Sequence, residues 1–297
     1  MSFLTGTLEQ GLIYGIMALG VYLSFRVLDY ADLSVDGSLP LGAAICAILI
    51  YNGSNPWLAT LLAIIGGAIA GVFTGFLHTR LKITPLLSGI LTMTALYSVN
   101  LRVMGGNNVP LLRAETVFTV LQDIGLPEKV VSLGVPLVVV TVLVIILNYF
   151  LQTELGMAVR ATGDNEQMIK AQGVDTNYTK LLGLSISNAL VAFSGALVAQ
   201  YQTFADVSMG IGTIIAGLAS VIIGEVLIGT GSILRRLLAV VAGSVMYRLV
   251  IALVLTMGLK PTDLKLMTAF IVIIALASPS IKKKLRVGLK EGKYAQS

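Results

Sequence analysis

Residues 31–50 read ADLSVDGSLPLGAAICAILI, and residues 205–224 read ADVSMGIGTIIAGLASVIIG. Each stretch opens with an Asp-x-Ser element and continues into an apolar segment that glycine or proline interrupts. The first copy follows the first apolar run of the chain and the second follows the sixth, so an odd number of spans separates them. This arrangement predicts an inverted-topology repeat that relates helices 1–4 to helices 6–9. A match of six common residues also arises by chance.

The composition requires lipid as a solvent. Of the 297 residues, 56% are hydrophobic and 12% are charged, whereas a soluble domain usually has about 25% charged residues. A spanning helix needs about 20 apolar residues. We therefore predict an all-α membrane protein, one domain over residues 1–297, with about nine transmembrane helices at 3–25, 36–51, 57–77, 85–104, 133–151, 181–203, 207–229, 237–257 and 263–280.

Basic residues predict the orientation of these runs. Lys282, Lys283, Lys284 and Arg286 follow the last run and are expected in the cytoplasm. If the chain crosses the membrane once at each apolar run, the connections that hold the following basic residues are also cytoplasmic: Arg26, Arg80, Lys82, Arg160, Lys170, Lys180, Arg235 and Arg236. We expect a multi-pass protein with a cytoplasmic C-terminus and an external N-terminus.

The longest polar connection on that side is the segment of about residues 152–180. Asn165 is a candidate N-cap after a turn at Gly163 and Asp164, and Glu166 suits a first helical turn. Gly173 suits the end of that short helix. One interpretation is a solvated loop; the other is a docking element through which a cytoplasmic partner transmits force.

Ionisable side chains within apolar segments are costly and usually face protein or water. The candidates for a solute path or its gates are Asp32, Ser34, Asp36, Asp206 and Ser208. The alternative is that these residues cap helix ends at the membrane interface. Glu225 and Arg248 lie in adjacent predicted spans, and we predict a structural ion pair or polar network for them.

Other polar and small residues suggest packing roles. Gly67, Gly71 and Gly75 form a ladder that would let another helix approach closely. Asn100 and Asn188 are expected to form hydrogen bonds between helices.

Several function classes are excluded by what the sequence does not contain. It has one cysteine and one histidine, too few for a His-based metal cluster or triad. GTGSIL at 229–234 lacks the lysine of a GxxxxGK[ST] phosphate loop, and no HExxH, CxxC or GxSxG motif occurs. We predict no catalytic residue, metal site or cofactor on this chain, and no nucleic-acid partner.

Two motifs resemble those of a known transporter superfamily. ADLSVDGS at 31–38 is similar to the Asp-Leu-Ser-Val-Gly-Ser element of ribose-type ABC importer permeases. LGMAVRATGDNEQMIKAQG at 155–173 resembles the inner loop of those permeases and of branched-chain amino acid permeases. The stretch SNALVAFSGALVAQYQTFADVSMGIG also matches in spacing. The similarity covers nearly the whole chain, although the family's first helix is expected to be missing.

The resemblance implies a cobalamin-importer-like fold in a bacterial inner membrane. It implies a permease homodimer or pseudo-heterodimer, a cytoplasmic ATPase dimer that binds the ATP, and an extracytoplasmic solute-binding protein. It places the coupling helix at Gly163, Asp164, Asn165, Glu166 and Gly173. Asp36 is inserted within the sugar-permease element, and Glu225 replaces a small residue. The chain therefore most resembles a bacterial subgroup thought to import amino acids, aromatic ones among them.

The sequence leaves rival functions open. The preferred hypothesis is an ABC importer permease for an amino acid or related compound. The alternatives are a sugar or nucleoside ABC permease, an ion-coupled secondary transporter in which Asp32 or Asp206 titrates, and a non-transporting membrane subunit. A co-encoded ATPase with a phosphate loop and a secreted binding protein would favour the importer.

Overall fold

The computed structural model describes residues 2–112, 114–123, 125 and 127–256, together with 266, 269, 270 and 273. Helix α1 (Ser2–Val21) continues into a π-helical turn (Tyr22–Val27). The remaining helices are α2 (Val35–Tyr51), α3 (Pro56–Thr79), α4 (Pro85–Met104), α5 (Val117–Asp123), α6 (Glu128–Phe150), α7 (Glu154–Asp164), α8 (Glu166–Ala171), α9 (Thr176–Gln202), α10 (Thr213–Ile228) and α11 (Ile233–Thr256).

The predicted helical membrane architecture is confirmed. Within the described residues, 7 helical segments are long and apolar enough to span a membrane: Leu4–Val27, Pro56–Thr79, Pro85–Met104, Glu128–Phe150, Thr176–Gln202, Val207–Ile228 and Ile233–Thr256. The second predicted span corresponds to α2, which is apolar but has only 17 residues. The predicted span at 263–280 lies outside the described residues except for isolated positions, so the count of nine stays a prediction.

The structure departs from a purely helical fold at one end of the bundle. Strands β1 (Asn108–Pro110) and β2 (Phe204–Asp206) form an antiparallel ribbon in which Val109 is paired with Ala205. Both strands lie in connections between spans, where no helix satisfies the backbone polar groups. Their mutual hydrogen bonds satisfy those groups instead. We call this the ribbon end, and the opposite one, which carries α7 and α8, the α7–α8 end.

Helix α9 is the centre of the bundle and contacts α1, α2 and α3. Its backbone meets its neighbours at glycines. A Cβ built on Gly42 of α2 would lie 1.9 Å from the Ala192 carbonyl oxygen, and one on Gly195 of α9 would lie 2.0 Å from the Leu39 oxygen. Such spacing leaves no room for a side chain, so these helices pack backbone to backbone, as small residues allow in membranes.

The glycine ladder of α3 has the packing role that the sequence predicted. A Cβ on Gly67 would meet the Asn188 carbonyl oxygen at 2.4 Å, and one on Gly71 would meet that of Leu184 at 2.2 Å. At Gly75, the nearest atom would be in the Leu181 side chain, at 2.9 Å. The outward face of α3 is apolar and exposed, which is typical of contact with lipid.

Substituting Gly71 by alanine should loosen the α3–α9 contact. The added methyl group must displace backbone, and such overpacking usually costs about 1–3 kcal/mol. The expected result is a lower thermal unfolding midpoint for detergent-purified protein. Gly106→Ala is the matched control, since a Cβ on Gly106 would have no atom of the described residues within 4 Å. Equal midpoints for the two variants would contradict this account of the packing.

Candidate solute path and coupling segment

The first Asp-x-Ser element is part of a buried polar network between α2 and α9. Asp32 Oδ1 accepts hydrogen bonds from the Ser34 backbone N–H (2.9 Å) and hydroxyl (2.5 Å), and its Oδ2 accepts one from Asn188 Nδ2 (2.8 Å). The Ser38 hydroxyl donates to Asn188 Oδ1 at 2.6 Å. Each of these side chains is buried, so the network fixes the start of α2 against the middle of α9.

The second Asp-x-Ser element repeats the local geometry in a different environment. The backbone N–H of Ser208 donates to Asp206 Oδ1 at 2.8 Å, and the Ser208 hydroxyl bonds to the same oxygen. Asp206 ends β2 and is partly exposed, and the Ser208 hydroxyl lowers the pKa of its carboxyl. The shared turn agrees with the repeat in the sequence. The symmetry of the two halves stays a prediction.

Asp36 links α2 directly to the start of α10. From the first turn of α2, its Oδ1 accepts from the Ile214 N–H (2.8 Å) and the Thr213 hydroxyl (2.9 Å) of α10. Its Oδ2 accepts from the Gly212 N–H at 3.0 Å. Gly212 is the N-cap position of α10 and has no side chain with which to cap it. The carboxylate of another helix therefore performs the capping and meets the positive end of the α10 dipole.

A cavity of about 340 Å³ lies beside this junction. Its lining residues come from α2, α4 and the connection before α10: Asp36, Gly37, Pro40, Met93, Thr94, Tyr97, Asn100, Val207 and Ile211. Asp36 is thus the predicted path residue that reaches the cavity. Asp32 and Ser34 are held in the network around Asn188, and Asp206 and Ser208 lie at the ribbon end.

The sequence did not lead us to expect that α4 lines a cavity. Sequence analysis treated Asn100 only as an interhelical hydrogen-bond donor, and Asn100 Nδ2 does donate to the Gly37 carbonyl at 3.1 Å. The available signal was the spacing of Met93, Tyr97 and Asn100, which places these side chains on one face of a helix.

The α7–α8 segment has the predicted caps. Asn165 caps α8 by accepting from the Met168 N–H at 3.0 Å, and Gly173 follows the helix with a φ of 87°. Glu166, in the first turn, pairs with Lys170 at 2.7 Å and with Lys180 of α9 at 2.8 Å. Burial would raise the pKa of Glu166, but these lysines outweigh it and lower the pKa to about 2. Glu166 is therefore ionised throughout the physiological pH range.

The sequence predicted a turn at Gly163, and this prediction is wrong. Helix α7 continues through Gly163 and ends at Asp164. The role of this glycine is close packing: a Cβ on Gly163 would lie 2.1 Å from the carbonyl oxygen of Val27, in the π-helical turn. The Thr162 hydroxyl also lies 2.8 Å from that of Thr179 on α9. Helix α7 therefore rests on the end of the first span. Asp164 is exposed.

The predicted ion pair or polar network of Glu225 with Arg248 does not occur among the described contacts, which give each residue a different partner. Glu225 forms a bidentate ion pair with Arg26 of the π-helical turn, at 2.9 Å (Nε to Oε1) and 2.6 Å (Nη2 to Oε2). The guanidinium of Arg248 lies 3.6 Å from the ring centroid of Tyr14.

The level at which α10 and α11 contact each other explains the error. Gly224 packs against Ala239, and Gly243 packs against Ser220. Continuing this antiparallel register places Arg248 about ten residues, or about 15 Å, along α10 from Glu225. Sequence analysis used Arg26 only as a marker of orientation, although a charge so close to an apolar run was a signal for a partner.

Comparison with known proteins agrees with this architecture. Residues 3–277 match the family model of the permease component of branched-chain amino acid transport systems. The chain belongs to that family. The permease is 43% identical, over 96% of its own length and 94% of the relative's, to a tyrosine transport system permease protein of Clostridioides difficile. It is 28% identical to a ribose import permease of Bacillus subtilis over 73% of its own length and 66% of the relative's.

Solved structures show the fold that this permease shares. PsaBC from Streptococcus pneumoniae, solved in complex with a Fab, aligns with a TM-score of 0.52 at 14% identity and covers 93% of this chain and 91% of that one. A transporter described as of the metal-chelate ABC type, in an inward-facing conformation, aligns with a TM-score of 0.51 at 18% identity. The alignment covers 94% of this chain and 84% of that one. These likenesses show an ABC-transporter permease fold, and the apolar helices and the family match indicate a multi-pass inner-membrane protein.

Replacing Asn188 by leucine should destabilise this permease. Leucine has a similar size but leaves Asp32 Oδ2 and the Ser38 hydroxyl without a partner in the core. A hydrogen bond to a charged group usually contributes about 1.5–3 kcal/mol. The expected loss is visible as a lower thermal midpoint. Asn177→Leu, on the partly exposed first turn of α9, is the control, and an equal or smaller effect at Asn188 would contradict the network.

Proposed function

We propose that this chain is the permease subunit of an ATP-binding cassette importer that moves an amino acid, aromatic ones in particular, into the cell. The family match and the 43% identical tyrosine permease support the solute class. The proposed transport mechanism depends mainly on the close packing of Gly163 against the carbonyl of Val27. This contact joins the exposed α7–α8 segment directly to the first membrane span.

The proposed partners follow from the family. Permease components of ABC transporters work with an ATPase and a binding protein. In the proposal, two ATPase subunits bind the α7–α8 end in the cytoplasm, and a solute-binding protein delivers the amino acid at the ribbon end. A second copy of this chain completes the path, and the ATPase subunits bind the nucleotide.

The contacts of the described residues offer a route from the docking segment to the cavity. Movement of α7 displaces the π-helical turn through Gly163. The turn displaces the end of α10 through the Arg26–Glu225 pair, and the start of α10 is held by Asp36 at the cavity wall. Single π-helical turns within α-helices are frequently found at functional sites, which agrees with a coupling role here.

A charge on the exposed surface of α8 should block ATPase docking. Met168 is exposed, so Met168→Asp leaves the core of the permease unchanged. In vesicles containing the permease, ATPase and binding protein, we expect ATP-dependent amino acid uptake to fall at least tenfold. Leu112→Asp places the same charge on an exposed residue near β1 and should retain ATPase binding. Uptake by the permease alone, without ATP, would instead support a secondary transporter.

Breaking the Arg26–Glu225 pair should uncouple ATP hydrolysis from transport. We expect Glu225→Gln to lower the number of amino acids imported per ATP hydrolysed, while the ATPase still binds. The exchange of the two residues, Arg26→Glu with Glu225→Arg, should restore part of the ratio, because it restores the pair. Arg248→Gln is the control at the cation that does not contact Glu225. An exchange variant no better than Glu225→Gln would contradict the proposed route.

A further inference from the structure

The polar groups that line the cavity between α2 and α4 are predominantly hydrogen-bond acceptors. Asn100 is fully buried; its Nδ2 donates to the Gly37 carbonyl, and no residue in the described part of the chain donates to its Oδ1. Thr94 donates its hydroxyl proton to the Ile90 carbonyl at 2.9 Å, which leaves its oxygen as an acceptor. Buried polar atoms without a partner are rare and need an explanation. A ligand with several donors would provide one.

Asp36 adds a negative charge to the same wall. Its carboxylate accepts three hydrogen bonds from the start of α10, and a carboxylate has about four acceptor positions. Among the described residues, the lining includes no lysine or arginine. The cavity therefore suits a group with positive charge and several N–H donors, and it disfavours a phosphate or a sulfate.

The rest of the lining is apolar and includes an aromatic ring. Met93, Pro40, Val207 and Ile211 face the cavity with the side chain of Tyr97. An aromatic ring attracts a cation to its face and stacks against other rings. The volume of about 340 Å³ lies within the range of small-molecule sites, about 300–1,000 Å³.

We propose that this cavity is a transient site for the transported amino acid, in which Asp36 and Asn100 Oδ1 receive its ammonium group. The apolar wall and Tyr97 receive its side chain. The proposal rests on the proposed function, because it concerns the solute of the same importer. Beyond the proposed function, it names the ammonium group as the part of the solute that the permease recognises. Recognition of that group would distinguish an amino acid from a neutral sugar.

Thiol protection tests the site directly. Cys46, the one cysteine of the chain, is buried, so an introduced cysteine can be labelled selectively. Ile211 lines the cavity and is 63% exposed, whereas Ile215, one turn later, is 48% exposed and is not part of the lining. We expect L-tyrosine to slow labelling of Ile211→Cys at least twofold in the full-length permease in nanodiscs. Labelling of Ile215→Cys should not change.

The same molecule without its amino group, 3-(4-hydroxyphenyl)propanoate, is the matched ligand control. It should give no protection at Ile211→Cys. Equal protection by both compounds would overturn the assignment of the ammonium group. Absence of protection by L-tyrosine would overturn the site itself.

Two substitutions at Asn100 separate ligand binding from packing. Asn100→Leu and Asn100→Asp both remove the Nδ2 donor to Gly37, but only Asn100→Asp keeps an acceptor. In the complete importer, we expect Asn100→Leu to reduce ATP-driven tyrosine uptake at least tenfold and Asn100→Asp to retain most of it. Equal loss in both variants would assign Asn100 to packing and overturn its role at the ligand.

The wild-type importer keeps the two proposals distinguishable. If the wild-type importer takes up tyrosine with ATP but the Ile211→Cys permease shows no protection, the cavity assignment is wrong and the importer stands. If the Ile211→Cys permease shows the ammonium-dependent protection but the wild-type importer shows no ATP-dependent uptake, the site is supported and the ATP-driven function is wrong.

Discussion

The carboxylate of Asp36 closes the amino end of α10 inside an apolar protein, and the position of α10 depends on that contact. Backbone polar groups within a membrane must be satisfied by the protein itself, since lipid offers no hydrogen bonds. Gly212 cannot cap α10 with a side chain, so the donors of Gly212, Thr213 and Ile214 bond to α2 instead. Separating α2 from α10 would leave the N–H groups of Gly212 and Ile214 and the Asp36 carboxylate without these partners, whereas the Thr213 hydroxyl also has the Gly210 carbonyl. The two helices are therefore constrained to start at a common point.

The rest of the bundle gives that point a fixed position. The buried network of Asp32 and Asn188 attaches α2 to α9, and the glycines of α3 bring α9 into backbone contact. Helix α10 is held differently, by Asp36 at one end and by the Arg26–Glu225 pair at the other. Its long contact with α11 is made by Gly224 and Gly243. A group of α2, α3 and α9 in close backbone contact thus faces a helix that side-chain bonds hold at both ends.

Sequence patterns predicted the parts of this fold that depend on local chemistry. Apolar runs located the spans, the glycine ladder located a close helix contact, and Asn165 and Gly173 marked the ends of α8. Pairing between helices was not predictable, because hydropathy does not fix the level at which two helices cross. Glu225 was therefore assigned to Arg248, although close packing at Gly224 and Gly243 sets a register that separates the two residues. The cavity was missed for the same reason: its walls come from three parts of the chain.

The chemistry of the cavity bears on why one fold serves both amino acid and sugar permeases. The relatives include a tyrosine and a ribose permease, so the fold alone does not select the solute. A carboxylate in an apolar wall is costly unless other groups compensate for its charge, and here the start of α10 does so. A neutral sugar would gain little from that charge, whereas an ammonium group would share it. The three bonds to Asp36 use both carboxylate oxygens, so an uncharged asparagine, which has one acceptor oxygen, could not accept all of them; the proposed ammonium contact would use the acceptor capacity that the cap leaves free.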